Sequence, residues 1–288
     1  MFLDGHIHMG GAGSADSGEK LLSALRSVGL DGGMVISRDP GGLFGSERDT
    51  FDTRLRDLIL FCEGHETLFP CFWIDAVADD ALKQVELAAP HVDAFKVICG
   101  THFPGDARAM ETYRMIAAYK KPILFHSGIL WDGRPSSQYN MPHAFECLLE
   151  APGLTFSLAH VSWPWCDECI AVLGKFMNAL TLRPDLTVEM FIDTTPGTPV
   201  RWRREVFQKL FDGDYDVMNN VIFGSDCLAE DYNTEWTRGW LERDRGILRD
   251  FGDPMAAELE QHVFGGNLLR FLGKSGGQIE RRLPQVAI

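Results

Sequence analysis

The sequence predicts an α/β fold in which eight strand–helix units close into a (β/α)8 TIM barrel with extra C-terminal helices. Three observations predict it. Short apolar runs rich in Val, Ile, Phe and Leu recur along the chain, and their apolar character is continuous rather than alternating, as in strands buried on both faces. Longer stretches with helical periodicity separate them, which implies right-handed βαβ units and a parallel sheet. The rival, an open doubly wound sheet, lacks its usual support: Gly10, Gly11 and Gly13 do not have the Gly-x-Gly-x-x-Gly spacing.

The expected strands are Phe2–His8, Gly33–Ser37, Leu68–Asp75, Ala94–Cys99, Pro122–His126, Leu154–His160, Thr187–Asp193 and Asn220–Asp226. The first expected helix, Glu19–Val28, sets Leu21, Leu22, Leu25 and Val28 on one face and stops at Gly29. Thr50–Glu63, Asp79–Ala89, Ala107–Tyr119, Pro142–Leu149, Pro164–Met177 and Pro199–Leu210 follow in the same manner. Thr234–Phe251 and Pro254–Leu272 come after the eighth strand. Residues 1–272 are thus one barrel domain and 273–288 a C-terminal tail. The Gly-rich pieces Gly10–Gly13 and Pro40–Gly45 read as loops following strands.

The chain has 288 residues and 45% apolar composition, enough for one large core. With 27 basic and 41 acidic residues its net charge is −14, which argues against a nucleic-acid partner. No apolar run is long enough to span a membrane, and the N-terminus MFLDGHIHMG has no signal-peptide pattern. The seven cysteines are odd in number and several sit in apolar runs, so free thiols and a cytoplasmic location are expected. The expected partner is a small-molecule substrate, with self-association as a homo-oligomer left open.

The first strand carries the strongest chemical signal. Side chains alternate along a strand, so Asp4, His6 and His8 are expected on one face and Leu3, Gly5 and Ile7 on the other. Two histidines aimed into a barrel mouth can meet one ion. His126, His160 and Asp226 end the fifth, sixth and eighth strands, at the rim where such barrels do their chemistry. A lone strand histidine is more often a satisfied core residue, but four strand ends converging on one rim point to a metal. A three-His, one-Asp set with an open position suits Zn²⁺, with Mn²⁺ or Fe²⁺ as alternatives. Cys166-x-x-Cys169 has no second pair and is read as packing. The Cys227 side chain is expected to point away from the Asp226 face.

These motifs together resemble the amidohydrolase superfamily, in the branch that includes aminocarboxymuconate-semialdehyde decarboxylase and related metal-dependent hydrolases. The matching segments are DGHIH, LFHSG, LAHVSWPW, FGSD and the closing VFGGNLLRFL, in the family's order and spanning residues 4–272. The resemblance implies that His6, His8, His126 and Asp226 hold the metal and that His160 assists the chemistry beside it. It also raises Lys96, which some members carboxylate to bridge a second metal. One metal and an unmodified Lys96, which either pairs with a carboxylate such as Asp4 or approaches the substrate, are expected here, and a second metal only if Lys96 is carboxylated.

Arg38, Arg134, Arg201, Arg203 and Arg204 follow expected strands and can grip a carboxylate in pairs of hydrogen bonds, with Arg134 and Arg201 preferred. Trp131, Trp163 and Trp165 occupy the same rim loops and can wall an unsaturated substrate, Trp163 being the preferred contact. The expected function is a metal-dependent hydrolase, with Asp226 and His160 as the catalytic pair and a metal-activated water attacking an amide, ester or lactone. The alternative is a metal-dependent non-oxidative decarboxylase of an unsaturated or aromatic acid. A metal-binding barrel without catalysis is the third reading.

Overall fold

The computed structural model describes residues 1–41, 49–213 and 215–275. The expected Pro40–Gly45 loop and 273–288 tail therefore fall largely outside the described residues. β1 (Leu3–His8), β2 (Gly32–Ile36), β3 (Leu68–Trp73), β4 (Ala94–Val97), β5 (Ile123–Phe125), β6 (Thr155–Leu158) and β7 (Glu189–Asp193) pair in sequence order, all parallel. The eighth stretch closes the barrel in two pieces. β8 (Val221–Ile222) pairs with β7, and β9 (Cys227–Leu228) pairs with β1. Between them Gly5 N donates to the Phe223 carbonyl at 2.9 Å and Asp226 N to the His6 carbonyl at 3.0 Å.

Helices α1 (Ala15–Ser27), α2 (Phe51–Cys62), α3 (Ala81–Ala88), α4 (Ala107–Ala118), α5 (Cys166–Leu182) and α6 (Val200–Phe211) alternate with the strands. α7 (Thr234–Leu248), α8 (Met255–Gln261) and α9 (Asn267–Phe271) follow the last strand. Local chemistry sets several starts: Ser14 Oγ accepts from Ser17 N, the Asp106 carboxylate from Arg108 and Ala109 N, and Asn233 Oδ1 from Trp236 N. Two expected helices differ. The 142–149 stretch is wound as a tighter 3-10 turn over Pro142–Glu150. The 254–272 stretch breaks at Phe264 and Gly265, whose φ/ψ leave the helical region, and a Gly265–Gly266 pair is where a helix is least able to resist a kink. No helix among the described residues is long and apolar enough to cross a membrane.

The core has two layers. An outer layer between strands and helices holds Ile7, Val35, Phe72, Phe95, Val97, Phe125 and Phe156. The inner layer holds the alternate strand residues, including Leu3, Met34, Phe69, Leu124, Phe191 and Ile222. Leu268, Phe271 and Leu272 of the α9 end pack into this layer and plug the floor of the barrel.

β1 does not alternate cleanly. Its register with β2 shifts between Asp4 and Ile7. Leu3 consequently joins the inner layer and Ile7 the outer one, although strict alternation would put both on one face. This corrects the expectation that Asp4 shares a face with His6 and His8. The irregularity turns His6 and His8 inward and sends Asp4 to the opposite side, against Tyr232.

Candidate metal centre

The rim of the barrel opens into a cavity of about 190 Å³, walled by His6, His8, Lys96, His126, His160 and Asp226 below and by Ile98, Ile129, Leu130, Trp131, Trp163 and Pro196 above. His6 and His8 present their Nε2 atoms to each other at 3.1 Å. Asp226 Oδ1 lies 3.7 Å from His6 Nε2 and 3.4 Å from His8 Nε2. Among the described residues these three form the close group of possible ligands, every donor atom within 4.8 Å of the others. His126, expected as a fourth ligand, stands outside that close group. Its ring lies 5.0 Å from the ring of His160, and its buried Nε2 has no hydrogen-bond partner among the described residues.

The backbone at this rim is unusual. His160, Val161 and Ser162 all have left-handed φ, at 60°, 47° and 53°, as does Asp226 at 62°. Non-glycine residues, and a β-branched valine above all, adopt this conformation only when surrounding packing imposes it. Beneath His6 the chain passes so close that a Cβ on Gly224 would lie 2.6 Å from His6 Cβ, so only glycine fits there.

Asp193, to which the sequence pattern assigns no role, is the acidic residue that touches this group from behind: its Oδ2 lies 2.7 Å from His6 Nδ1. Thr195 N in turn donates to Asp193 Oδ1 at 2.5 Å. With Nδ1–H donated to Asp193, the lone pair of His6 is left on Nε2, facing the cavity. The available signal was positional, since Asp193 ends a strand as His126 and Asp226 do. Nothing in the spacing says that it reaches across to β1.

Burial dominates the protonation states. It lowers His6 and His126 well below the ordinary imidazole value, with Lys96 contributing to both. It brings His160 down to about 4, against an opposing pull from Asp226. Asp193 rises to about 6, again through burial. Burial also disfavours the Asp226 charge, but contact with His8 and the nearby His6 and His160 rings outweighs it and holds the carboxyl well below its usual range. Lys96 falls to about 8, with burial outweighing the attraction of Asp193 and Asp226. Its Nζ lies 3.4 Å from His6 Nε2. Its carboxylate neighbours are thus Asp193 and Asp226 and not Asp4, which β1 turns the other way. Neutral imidazole lone pairs, an ionised carboxylate and an unpartnered buried His126 nitrogen make a donor set that fits a divalent ion.

The expected arginine contacts are not in this wall. Arg134 and Arg201 are exposed and lie outside it. Arg203 is buried in a paired contact with Asp244 at 2.9 and 2.6 Å. Arg38 holds Asp49 and Asp57, and Arg204 holds Asp250. Lys96 is the one lysine or arginine in the described wall. Trp163 and Trp131 do line the cavity, Trp131 at its mouth with 82% of its surface exposed, whereas Trp165 does not. Cys166 and Cys169 are buried at the start of α5, and Cys227 packs in the outer layer near Thr237, away from the cavity.

No protein-family model matches the chain, and no curated protein matches it in sequence. Solved structures do. An uncharacterized TIM-barrel protein of Bordetella bronchiseptica is 16% identical with a TM-score of 0.66, over 96% of this chain and 99% of that one. A zinc-bound amidohydrolase of Burkholderia multivorans is 13% identical with a TM-score of 0.61, over 95% and 99%. A 2,6-dihydroxybenzoate decarboxylase from Rhizobium is 10% identical with a TM-score of 0.61, over 96% and 98%. At such identities the likeness is one of fold, and it extends over nearly the full length of all three barrels.

Proposed function

We propose that this chain is a metal-dependent enzyme of the amidohydrolase type that hydrolyses an amide, ester or lactone of a small substrate. The observation that carries the reading is the convergence of His6, His8 and Asp226 within 4.8 Å at the barrel rim, in a cavity that also receives His126 and His160. The similarity in fold to a zinc-bound amidohydrolase supports it, as does the motif resemblance. His6, His8 and Asp226 would hold the ion, with His126 as the further donor. A divalent ion there supplies Lewis-acid polarisation and lowers the pKa of water from about 15.7 to about 7.

The chain's own residues do the rest. Asp226 accepts the proton of the attacking water. It then passes that proton to the leaving group. His160 is neutral at physiological pH and lines the cavity, so a ring N–H there meets the developing oxyanion. Asp193 keeps His6 in one tautomer. Trp163, Ile129 and Leu130 hold the apolar part of the substrate and limit water. Lys96, unmodified, is the group that meets a substrate carboxylate, and one equivalent of zinc per chain is expected.

The apolar upper wall and the single cation also favour a second reading, decarboxylation of an unsaturated or aromatic acid. Lys96 then orients the carboxylate, and His160 helps to guide a proton from water to the carbon as CO₂ leaves. The test is a screen of the zinc-loaded protein on esters, lactones and amides in parallel with CO₂ release from unsaturated and aromatic acids. Turnover in the first arm supports hydrolysis and turnover in the second replaces it. A protein that binds zinc and turns over nothing in either is a metal-binding barrel.

A further inference from the structure

The face reversal in β1 leaves Asp4 fully buried on the far side of the strand from the cavity, and its carboxylate is fully engaged there. Oδ1 accepts from His6 N at 3.0 Å and from Ser225 N at 2.9 Å. Oδ2 accepts from the Tyr232 hydroxyl at 2.7 Å. His6 is a candidate ligand, and Ser225 immediately precedes Asp226. One carboxylate therefore ties together the two strand segments that carry all three close ligands. It does so where regular pairing fails, at the register shift of β1 and in the gap between β8 and β9. Ser225 is restrained from its other sides too, its carbonyl accepting from Trp236 Nε1 at 3.1 Å and its Oγ from Cys227 N at 3.2 Å.

A buried carboxylate is unfavourable unless it satisfies donors that would otherwise be left unpaired. Here those donors are two main-chain N–H groups beside the site and one phenol. Asp193 orients the His6 ring itself, whereas Asp4 acts on the main chain beneath it, a step further from the cavity. We propose that Asp4 and Tyr232 are positioning residues for the metal centre: the carboxylate of Asp4, anchored by Tyr232, sets the spacing between the His6–His8 strand and Asp226, and with it the affinity of the site for its ion. The proposal rests on reading this site as a metal centre.

The test compares wild type, Asp4→Ala, Asp4→Asn and Tyr232→Phe by chelator-competition Kd for Zn²⁺, by the visible spectrum of the Co²⁺-loaded protein, and by thermal unfolding of each metal-free form. Asp4→Ala is expected to weaken zinc binding by roughly 10- to 100-fold, the usual range when groups behind metal ligands are lost, and to alter the cobalt bands. Asp4→Asn keeps a carbonyl oxygen for both main-chain donors and is expected to recover most of the affinity. Tyr232→Phe removes one hydroxyl and is expected to fall between Asp4→Asn and Asp4→Ala. A zinc Kd and cobalt spectrum unchanged in both Asp4→Ala and Tyr232→Phe overturn the proposal, whatever happens to the unfolding temperature. If Asp4→Ala does not fold, an unchanged Kd and spectrum in Tyr232→Phe alone overturn it. Wild type that binds neither ion overturns the metal-centre reading and this proposal with it, and is told apart because no variant is involved.

Discussion

The two ends of the barrel interior are built from the same strands and differ in almost every physical respect. The floor is filled by Leu3, Met34, Phe69, Phe191 and Ile222 and sealed by Phe271 and Leu268 of α9. The rim, further along the barrel strands toward their C-terminal ends, holds His6, His8, Lys96, His126, His160 and Asp226 around a cavity. The departures from ordinary backbone gather at the rim, where His160, Val161, Ser162 and Asp226 are all left-handed. The floor contributes apolar burial, and the rim offsets part of it with buried, mutually close titratable groups. Strain and desolvation can persist at one end because close packing at the other holds the frame.

The comparison breaks most severely if the rim histidines are removed. A His6→Ala/His8→Ala double variant is expected to retain no stoichiometric metal and no activity above background, while its fold survives on the intact floor. Metal analysis with far-UV circular dichroism checks this, and full metal content would defeat it. Next in size, His160→Ala is expected to keep its metal and lose roughly 10²- to 10⁴-fold in kcat/KM, the range of a group that assists proton transfer. Loss of metal and rate together would make His160 a ligand instead.

At the opposite end a substitution should change stability and leave function alone. Phe271 is 2% exposed and packs edge-on against Phe191 with ring centroids 5.4 Å apart. Phe271→Ala is expected to cost about 3–5 kcal/mol in denaturant unfolding, as for other buried aromatics, and to leave KM and metal content of the folded protein unchanged. A changed metal content would show the two ends to be coupled.

The smallest effect sharpens the electrostatic side. Burial depresses His160 to about 4 from 6.5. In the metal-free protein it stays neutral where an unfolded chain would take up a proton, so its contribution to stability is fully present above 6.5 and is lost as pH falls toward 4. His6 and His126 act in the same direction. Asp4 and Asp193, both raised to about 6, act against them, since the folded state binds their protons more tightly as pH falls below 6. A His160→Gln variant isolates one group. Its unfolding free energy is expected to fall less steeply than wild type between pH 6.5 and 4, by up to ~1.4 kcal/mol per pH unit. Parallel slopes would place His160 in water and not in the wall.

Much of this was legible along the chain. Eight apolar runs separated by helical periods determined the barrel, because a strand buried on both faces and a helix buried on one leave different repeats in the sequence. The same repeats marked which polar residues end strands, and so which ones reach the rim: His6, His8, His126, His160 and Asp226. Arg134 and Arg201 pointed to substrate contact by loop position alone, and loops are where chain position says least about direction.

What tertiary structure decided was every relation between strands. Strict alternation placed Asp4 beside His6, and a register shift between β1 and β2 put it on the other side. Asp193 became the partner of His6 only because closure of the barrel brings β7 across from β1. Lys96 acquired its lowered pKa from burial among groups far from it in sequence. Sequence periodicity reports which face of an element a residue occupies, whereas distance, tautomer and charge state depend on what the other strands place opposite it.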